Sequence, residues 1–161
     1  MIVISDSSAL ISLLSVEKLD ILGKLFETVM IPEAVYNEVF NKKVSNLDLK
    51  KTKFLQIEKV TDRKMVKLLK MQLGYGESEV IALALEKGID RVIIDDKQAR
   101  KVADKLGLKV IGTLGILILA KEKQVIKEVR PLVLSMMEKI NFRIDRALLN
   151  KILGILNEKP I

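Results

Sequence analysis

Short apolar runs alternate with amphipathic helical segments along most of this 161-residue chain. The first run, Ile2 to Ser5, is followed directly by residues that favour the start of a helix. Two more runs, Arg91 to Ile94 and Lys109 to Ile111, each follow a helical pattern that ends in glycine. Strands that alternate with helices of this length require a parallel sheet covered by helices on both faces. The sequence therefore predicts an α/β fold with a central parallel sheet.

The chain after Gln124 shows no further strand pattern. Helices are predicted from Pro131 and from about Asp145 to Leu156. We therefore expect a domain at 1–123 and a helical C-terminal extension at 124–161 that packs on the core or on a partner. Apolar residues recur in this extension at helical spacing and favour a homodimer, although packing within one chain explains them nearly as well; they are Val125, Val129, Leu132, Met136 and Met137.

The composition excludes several kinds of chemistry. The chain has no His, Cys or Trp, so Ser-His and Cys-His nucleophiles, thiol redox chemistry, disulfides and the usual zinc sites are ruled out. The net charge of +7 favours a polyanionic partner, and it also fits a thermophile-like surface rich in Lys and Glu. Residues 41–53 contain five Lys and are predicted to form an exposed connection that touches a polyanion.

No segment has the pattern of a membrane span or a secretion signal. The amino terminus lacks a basic leader and carries Asp6 within its apolar stretch. The longest apolar run, Val110 to Ala120, is shorter than the roughly 20 residues that a span requires. A cytoplasmic protein without membrane association is expected.

Acidic residues follow two of the predicted strands. Asp6 comes after the first strand, and the pair Asp95 and Asp96 comes after the strand at 91–94. In a parallel sheet the ligand crevice lies at the carboxyl ends of the strands, so these acids are expected to converge.

Two further acids interrupt the apolar stripes of predicted helices. At about 100° per residue, Glu38 falls near the centre of the inward face of its helix, whereas Glu33 points away. In the helix after Gly76, Glu77 is predicted to face inward and Glu79 outward.

A cluster of buried carboxylates needs protons, Lys or Arg, or divalent cations to neutralise it. In a chain without His or Cys, an all-oxygen site favours Mg²⁺ or Mn²⁺, and these ions suit phosphodiester hydrolysis. Helix capping is the competing explanation for Asp6, Glu77 and Asp96. Helix capping does not explain Glu38, because this residue lies late in its helix, where the dipole disfavours negative charge.

Five segments, four of which contain these acids, together resemble the PIN-domain nucleases, from Ile2 to about Lys121, and the tail is similar to one prokaryotic PIN-like branch. The resemblance implies a PIN-like three-layer fold, an acidic cluster that holds Mg²⁺ or Mn²⁺, and cleavage of RNA. It also implies that many relatives are toxins of VapC type, which are often dimeric and inhibited by a small antitoxin protein. The five segments are ISDSSALISL, IPEAVYNEV, GYGESEVIALALEKG, VIIDDKQARKVADKLGLKV and GTLGILILAK.

The resemblance assigns the family's first two acids clearly. The first matches Asp6, and the nearby hydroxyl comes from Ser7 or Ser8. The second matches Glu38.

The family's other two acids match less cleanly. The third matches Glu77 better than Glu79, in agreement with the helical-face prediction. The fourth, which usually follows a Thr-x-Asp pattern, matches Asp96, but Ile94 stands where Thr would be and Asp95 is an additional acid. Either Asp95 or Asp96 is therefore the main ligand. The expected catalytic set is Asp6, Glu38, Glu77 and Asp96, and the expected metal ligands are Asp6, Glu77, Asp95 and Asp96.

The leading hypothesis is a metal-dependent ribonuclease in which water attacks phosphorus in line and Lys97, Arg100 and Lys101 hold the RNA. Taken singly, each of these three cations is better explained as a solvated charge on an exposed helix face. A PIN-like module that binds RNA or protein without cutting is the main alternative. Phosphatase chemistry ranks last, because Ser8 occupies the position of the second Asp in the DxDxT pattern of such enzymes.

Overall fold

One parallel β-sheet forms the centre of the protein. The structure is a computed structural model that describes residues 1–40 and 52–161. The strands within these residues are β1 (Ile2–Ser5), β2 (Thr28–Pro32), β3 (Leu55–Glu58), β4 (Arg91–Ile93) and β5 (Lys109–Ile111). They lie side by side in the order β3-β2-β1-β4-β5, all parallel. The predicted α/β fold with a central parallel sheet is therefore confirmed.

Helices connect and cover the strands. In chain order they are α1 (Ser7–Ser15), α2 (Asp20–Leu25), α3 (Glu33–Phe40), α4 (Arg63–Leu69), α5 (Tyr75–Lys87), α6 (Lys97–Lys105), α7 (Thr113–Glu122), α8 (Arg130–Ile140) and α9 (Arg146–Ile155). No helix in the described part of the chain has the length and apolarity that a membrane span requires.

The central strand β1 lies between β2 and β4 and is buried on both faces. Ile4 is opposite Met30 of β2 and Val92 of β4. Ile4 and Val92 are fully buried. Because β1 and β4 are parallel neighbours, the residues that follow them emerge at the same edge of the sheet. This edge is where the acids at 6 and 95 meet.

The first residues of α4 and α5 are set by different local features. Asp62 caps α4 by accepting a 3.1 Å hydrogen bond from the Met65 N–H. The helix that the sequence places after Gly76 begins two residues earlier, at Tyr75, with Gly74 as its N-cap.

The C-terminal helices share the core of the sheet domain. Val133 and Met136 of α8 and Leu149 and Leu153 of α9 are fully buried in the same apolar cluster as the strands. The predicted boundary at 123/124 stays a prediction. The Lys-rich segment is also untested, since residues 41–51 lie outside the described residues.

Glu158 attaches the end of the chain to α7 and α8. Its carboxylate accepts hydrogen bonds from Lys121 Nζ at 2.7 Å and from the Val129 and Arg130 N–H groups at 3.0 and 2.8 Å. The N–H groups at the start of α8 thereby gain a charged hydrogen-bond acceptor. The negative charge of this acceptor also interacts favourably with the dipole of the helix.

Candidate active site

Asp6 is the buried centre of the candidate site. It follows β1 directly, its N–H donates to the Ile93 carbonyl at 2.9 Å, and its side chain is fully buried. Its Oδ1 accepts from the Ala9 N–H at 3.0 Å, which caps α1, and its Oδ2 accepts from the Asp95 N–H at 2.9 Å. Asp6 therefore acts as the predicted N-cap, but one oxygen also joins it to the residue after β4.

The electrostatic environment of Asp6 disfavours its charged form. Burial, together with the negative charges of Asp95 and Glu77, raises the pKa of Asp6 to about 7, although its two backbone hydrogen bonds act in the opposite direction. Within residues 1–40 and 52–161, no ion pair joins Asp6, Asp95 or Glu77 to a Lys or Arg. We refer to Asp6, Asp95 and Glu77 as the acidic cluster. Its negative charge is not compensated by an ion pair with any Lys or Arg in the described residues.

Asp95 and Asp96 have different roles. The Asp95 carboxylate accepts from the Thr113 N–H at 2.7 Å and from the Thr113 hydroxyl. Asp96 is exposed and caps α6, because its Oδ2 accepts from the Ala99 N–H at 2.8 Å. Asp95 is therefore the acid of this pair that raises the pKa of Asp6.

Thr113 supplies a hydroxyl that sequence reasoning missed. A threonine was sought two residues before Asp96, where Ile94 stands. The structure instead brings Thr113 from the end of β5, the strand next to β4, and buries it completely against Asp95. Its position one residue after Gly112, at the carboxyl end of a neighbouring strand, was the available clue.

Glu38 and Glu77 each lie against a glycine. A Cβ at Gly74 would lie 2.6 Å from Glu77 Oε2, and a Cβ at Gly76 would lie 2.7 Å from Glu38 Oε1. Glu38 Oε2 also accepts from the Ser7 hydroxyl at 2.6 Å, which connects α3 to the residue after Asp6. The two glycines of the 74–76 segment thus leave room for two acids, a role that the sequence analysis did not recognise.

The predicted orientations were only partly correct. Glu33 is exposed and Glu77 half-buried, as the helical faces suggested, but Glu38 is exposed although it was expected to face inward. Glu79 was expected to face solvent and is only 2% exposed, so that prediction was wrong. The reason is that residues 78–84 of α5 are all buried, so this part of the helix has no solvent face on which a charged residue could be placed.

Glu79 has partners that stabilise it in the interior. Its Oε1 accepts from the Ala34 N–H at 2.9 Å, at the start of α3, and its Oε2 pairs with the Arg63 guanidinium. Arg63 Nη2 also donates to the Tyr75 hydroxyl at 2.9 Å. Glu79 therefore links α5 to α3 and α4, and its carboxylate is compensated while those of the acidic cluster are not.

The predicted substrate-binding residues lie around the cluster. Ser7 is buried and bonded to Glu38, while Ser8 is exposed. Lys97, Arg100 and Lys101 are exposed on α6 and line a cavity of about 410 Å³.

Metal binding by the cluster is chemically suitable but not preassembled. No group of three or more acids in the described ranges is gathered closely enough to hold a metal ion. The donors are nevertheless all oxygens, and burial together with the negative charges of Asp95 and Glu77 raises the pKa of Asp6. A hard divalent cation meets both conditions.

One comparison with known proteins gives a match. A family model described as DUF3368, a PIN domain, matches residues 2–158, which include the sheet, the acids and both C-terminal helices. Neither the curated proteins nor the solved structures give a significant match.

Proposed function

This chain belongs to the PIN-domain family, and we propose that it is a Mg²⁺- or Mn²⁺-dependent endoribonuclease that hydrolyses phosphodiester bonds of RNA. The observation that carries this proposal is the uncompensated cluster in which Asp6 and Asp95 lie at the carboxyl ends of β1 and β4 and Glu77 of α5 acts electrostatically on Asp6. Ligand crevices of parallel sheets lie at such ends. A buried acid without a cationic partner is costly to ionise, so the cluster favours a cationic ligand.

The residues that would hold the metal are Asp6, Asp95 and Glu77. When bound, Mg²⁺ or Mn²⁺ would stabilise charge on the scissile phosphate and promote attack by water. Asp6 is already oriented by its two backbone hydrogen bonds, and Asp95 by Thr113. Asp96, predicted as a ligand, would instead keep α6 capped and so position the cations that follow it.

Glu38 and the α6 cations would act on the substrate side. The Ser7 hydroxyl donates to Glu38, which places a second polar pair beside Asp6 for orienting water or a phosphate oxygen. Lys97, Arg100 and Lys101 are exposed next to Asp95 and Asp96, where they would bind phosphates through a sequence-independent electrostatic attraction.

Replacing Glu77 with glutamine should reduce Mn²⁺-dependent cleavage of a mixed RNA panel by about 10²-fold or more, because the variant keeps the size of the side chain and loses its charge. Glu33→Gln is the matched control, since Glu33 is an exposed acid outside the cluster, and it should retain activity. Gel analysis of cleavage products with Mn²⁺ and with EDTA provides the measurement. Equal activity of the two variants would contradict the proposed site.

The alternative function is a PIN-like module that binds RNA or protein without cutting. The absence of a preassembled three-acid group in the described residues favours it. RNA binding by the wild type without cleavage in either Mg²⁺ or Mn²⁺ would decide for this alternative.

We further propose that the protein self-associates and that a small antitoxin protein inhibits it. The tail residues predicted to pair are mostly engaged within the chain, since Val129 and Met136 are fully buried. Ile155 remains exposed on α9 and would supply an apolar contact between copies. Light scattering at tens of micromolar protein should give a dimer mass, and a monomer mass would reject self-association.

A further inference from the structure

A second cavity lies beside the acidic cluster and is partly walled by the C-terminal helices. Its volume is about 470 Å³, within the range of ligand-binding cavities. Asp95 and Arg100 line one side, Arg143 lies on the segment between α8 and α9, and apolar side chains such as Ile118 of α7 and Leu148 of α9 complete the walls. The cavity therefore combines two guanidinium groups with apolar surface next to a proposed metal ligand.

Arg100 lies where this cavity meets the basic one. The 410 Å³ cavity lined by Lys97 and Lys101 and the 470 Å³ cavity share Arg100 and Val110. The exposed cations of α6, Arg100 and Arg143 thus line two adjacent cavities. Such a series of cations suits an extended polyanion better than a single small anion.

Gly112 leaves room for the side chains of an acid and an arginine at the cavity edge. A Cβ at this position would lie 3.0 Å from Asp95 Oδ1 and 3.5 Å from Arg100 Nη1. Asp95 and Arg100 therefore both border Gly112, although they form no ion pair with each other. A phosphate held by Arg100 would be next to the cluster.

We propose that the 470 Å³ cavity binds the nucleotide adjacent to the cleaved phosphate of an RNA strand. Arg100 and Arg143 contact backbone phosphates, and the apolar walls formed by α7 and α9 contact the base. This inference rests on the proposed ribonuclease function, and it assigns substrate binding to a residue of the C-terminal helical region. RNA is favoured over a protein ligand because the two arginines and Asp95 connect the cavity both to the cations of α6 and to the acids.

The test measures RNA affinity separately from cleavage. The probe is a fluorescein-labelled single-stranded RNA of about eight nucleotides, a length typical of single-strand sites, bound by the full chain in EDTA and followed by anisotropy. Arg143→Gln should weaken binding by about tenfold at low salt. It should also reduce the slope of log affinity against log salt by about 0.7, the value for one lost phosphate contact.

Lys139→Gln is the matched control. Lys139 is an exposed cation of α8 that does not line the cavity, so its loss should change the affinity by less than about twofold. Leu148→Glu, which places a carboxylate in the wall, should also weaken binding; Leu148 is 49% exposed, so the fold should tolerate the change. Equal affinities for Arg143→Gln and Lys139→Gln would overturn the proposal.

Cleavage of a longer RNA in Mn²⁺ distinguishes the two proposals. If the wild type cleaves but Arg143→Gln and Leu148→Glu bind RNA like the wild type, the cavity assignment fails and the ribonuclease function stands. If the wild type binds RNA through Arg143 without cleaving it, the ribonuclease function fails and the cavity remains an RNA site. Absence of RNA binding by the wild type overturns the cavity assignment.

Discussion

In EDTA, the free energy of unfolding should fall by about 4 kcal/mol, through Asp6 alone, as the pH rises from about 4 to above 7. The folded protein holds the Asp6 proton up to about pH 7, because burial and the charges of Asp95 and Glu77 raise its pKa, whereas the ordinary pKa of an Asp, as in the unfolded chain, is 3.8. Between these values the folded state binds more protons than the unfolded state. Its stability therefore decreases with rising pH, the opposite of an acid that gains a cationic partner.

The Asp6→Asn variant isolates this effect from the other titrating groups. Asparagine keeps one oxygen that can accept from either the Ala9 or the Asp95 N–H, at the cost of one of the two hydrogen bonds. Its free energy of unfolding should therefore lack the Asp6 contribution to the pH dependence. Urea denaturation of both proteins at pH 5 and pH 8 measures the difference, and parallel pH profiles would show that Asp6 ionises freely in the fold.

Mn²⁺ should reverse the loss at pH 8. An ion that binds the folded state preferentially raises stability by mass action, and it does so most where the cluster is ionised. Thermal unfolding with millimolar Mn²⁺ and with EDTA should differ for the wild type and coincide for the double variant Asp6→Asn/Glu77→Gln. An equal shift in both proteins would place the ion elsewhere.

The order of strands and helices was predictable because it depends on local patterns. Ile2 to Ser5 and Lys109 to Ile111 are strands with the predicted bounds. Gly88 and Gly107 end α5 and α6 with φ angles of 66° and 82°, which glycine adopts without steric cost. In these segments the residue type and the local backbone requirement agree, so no knowledge of the tertiary structure was needed.

The candidate site was predictable only where it follows directly from a strand. Asp6 and Asp95 lie at adjacent strand ends, which the parallel sheet dictates. The hydroxyl of Thr113 and the space at Gly74 and Gly76 depend on contacts between segments distant in sequence. Such contacts leave no periodic pattern in the sequence, and for this reason the helix was predicted to begin only after Gly76.

Glu79 shows the limit of predictions from helical faces. Because this residue is buried, its replacement should have a large effect on the free energy of unfolding. Glu79→Ala should lower the free energy of unfolding by about 3 kcal/mol, because it leaves the buried Ala34 N–H without its acceptor and creates a void among the buried residues of α5. Glu77→Gln provides the comparison on the same helix. It relieves repulsion with Asp6 in metal-free protein and should leave stability unchanged or slightly higher.

Two further variants divide the Glu79 contribution between its partners. Glu79→Gln retains an oxygen for the Ala34 N–H and should cost only about 1 kcal/mol. The coupling between Glu79 and Arg63 should be below about 1 kcal/mol in a double-mutant cycle, because the Arg63 side chain is 49% exposed and solvent screens the pair. Urea denaturation in EDTA measures all of these values. A Glu79→Gln cost as large as that of Glu79→Ala would mean that the charge, and not the backbone hydrogen bond to α3, is what Glu79 contributes.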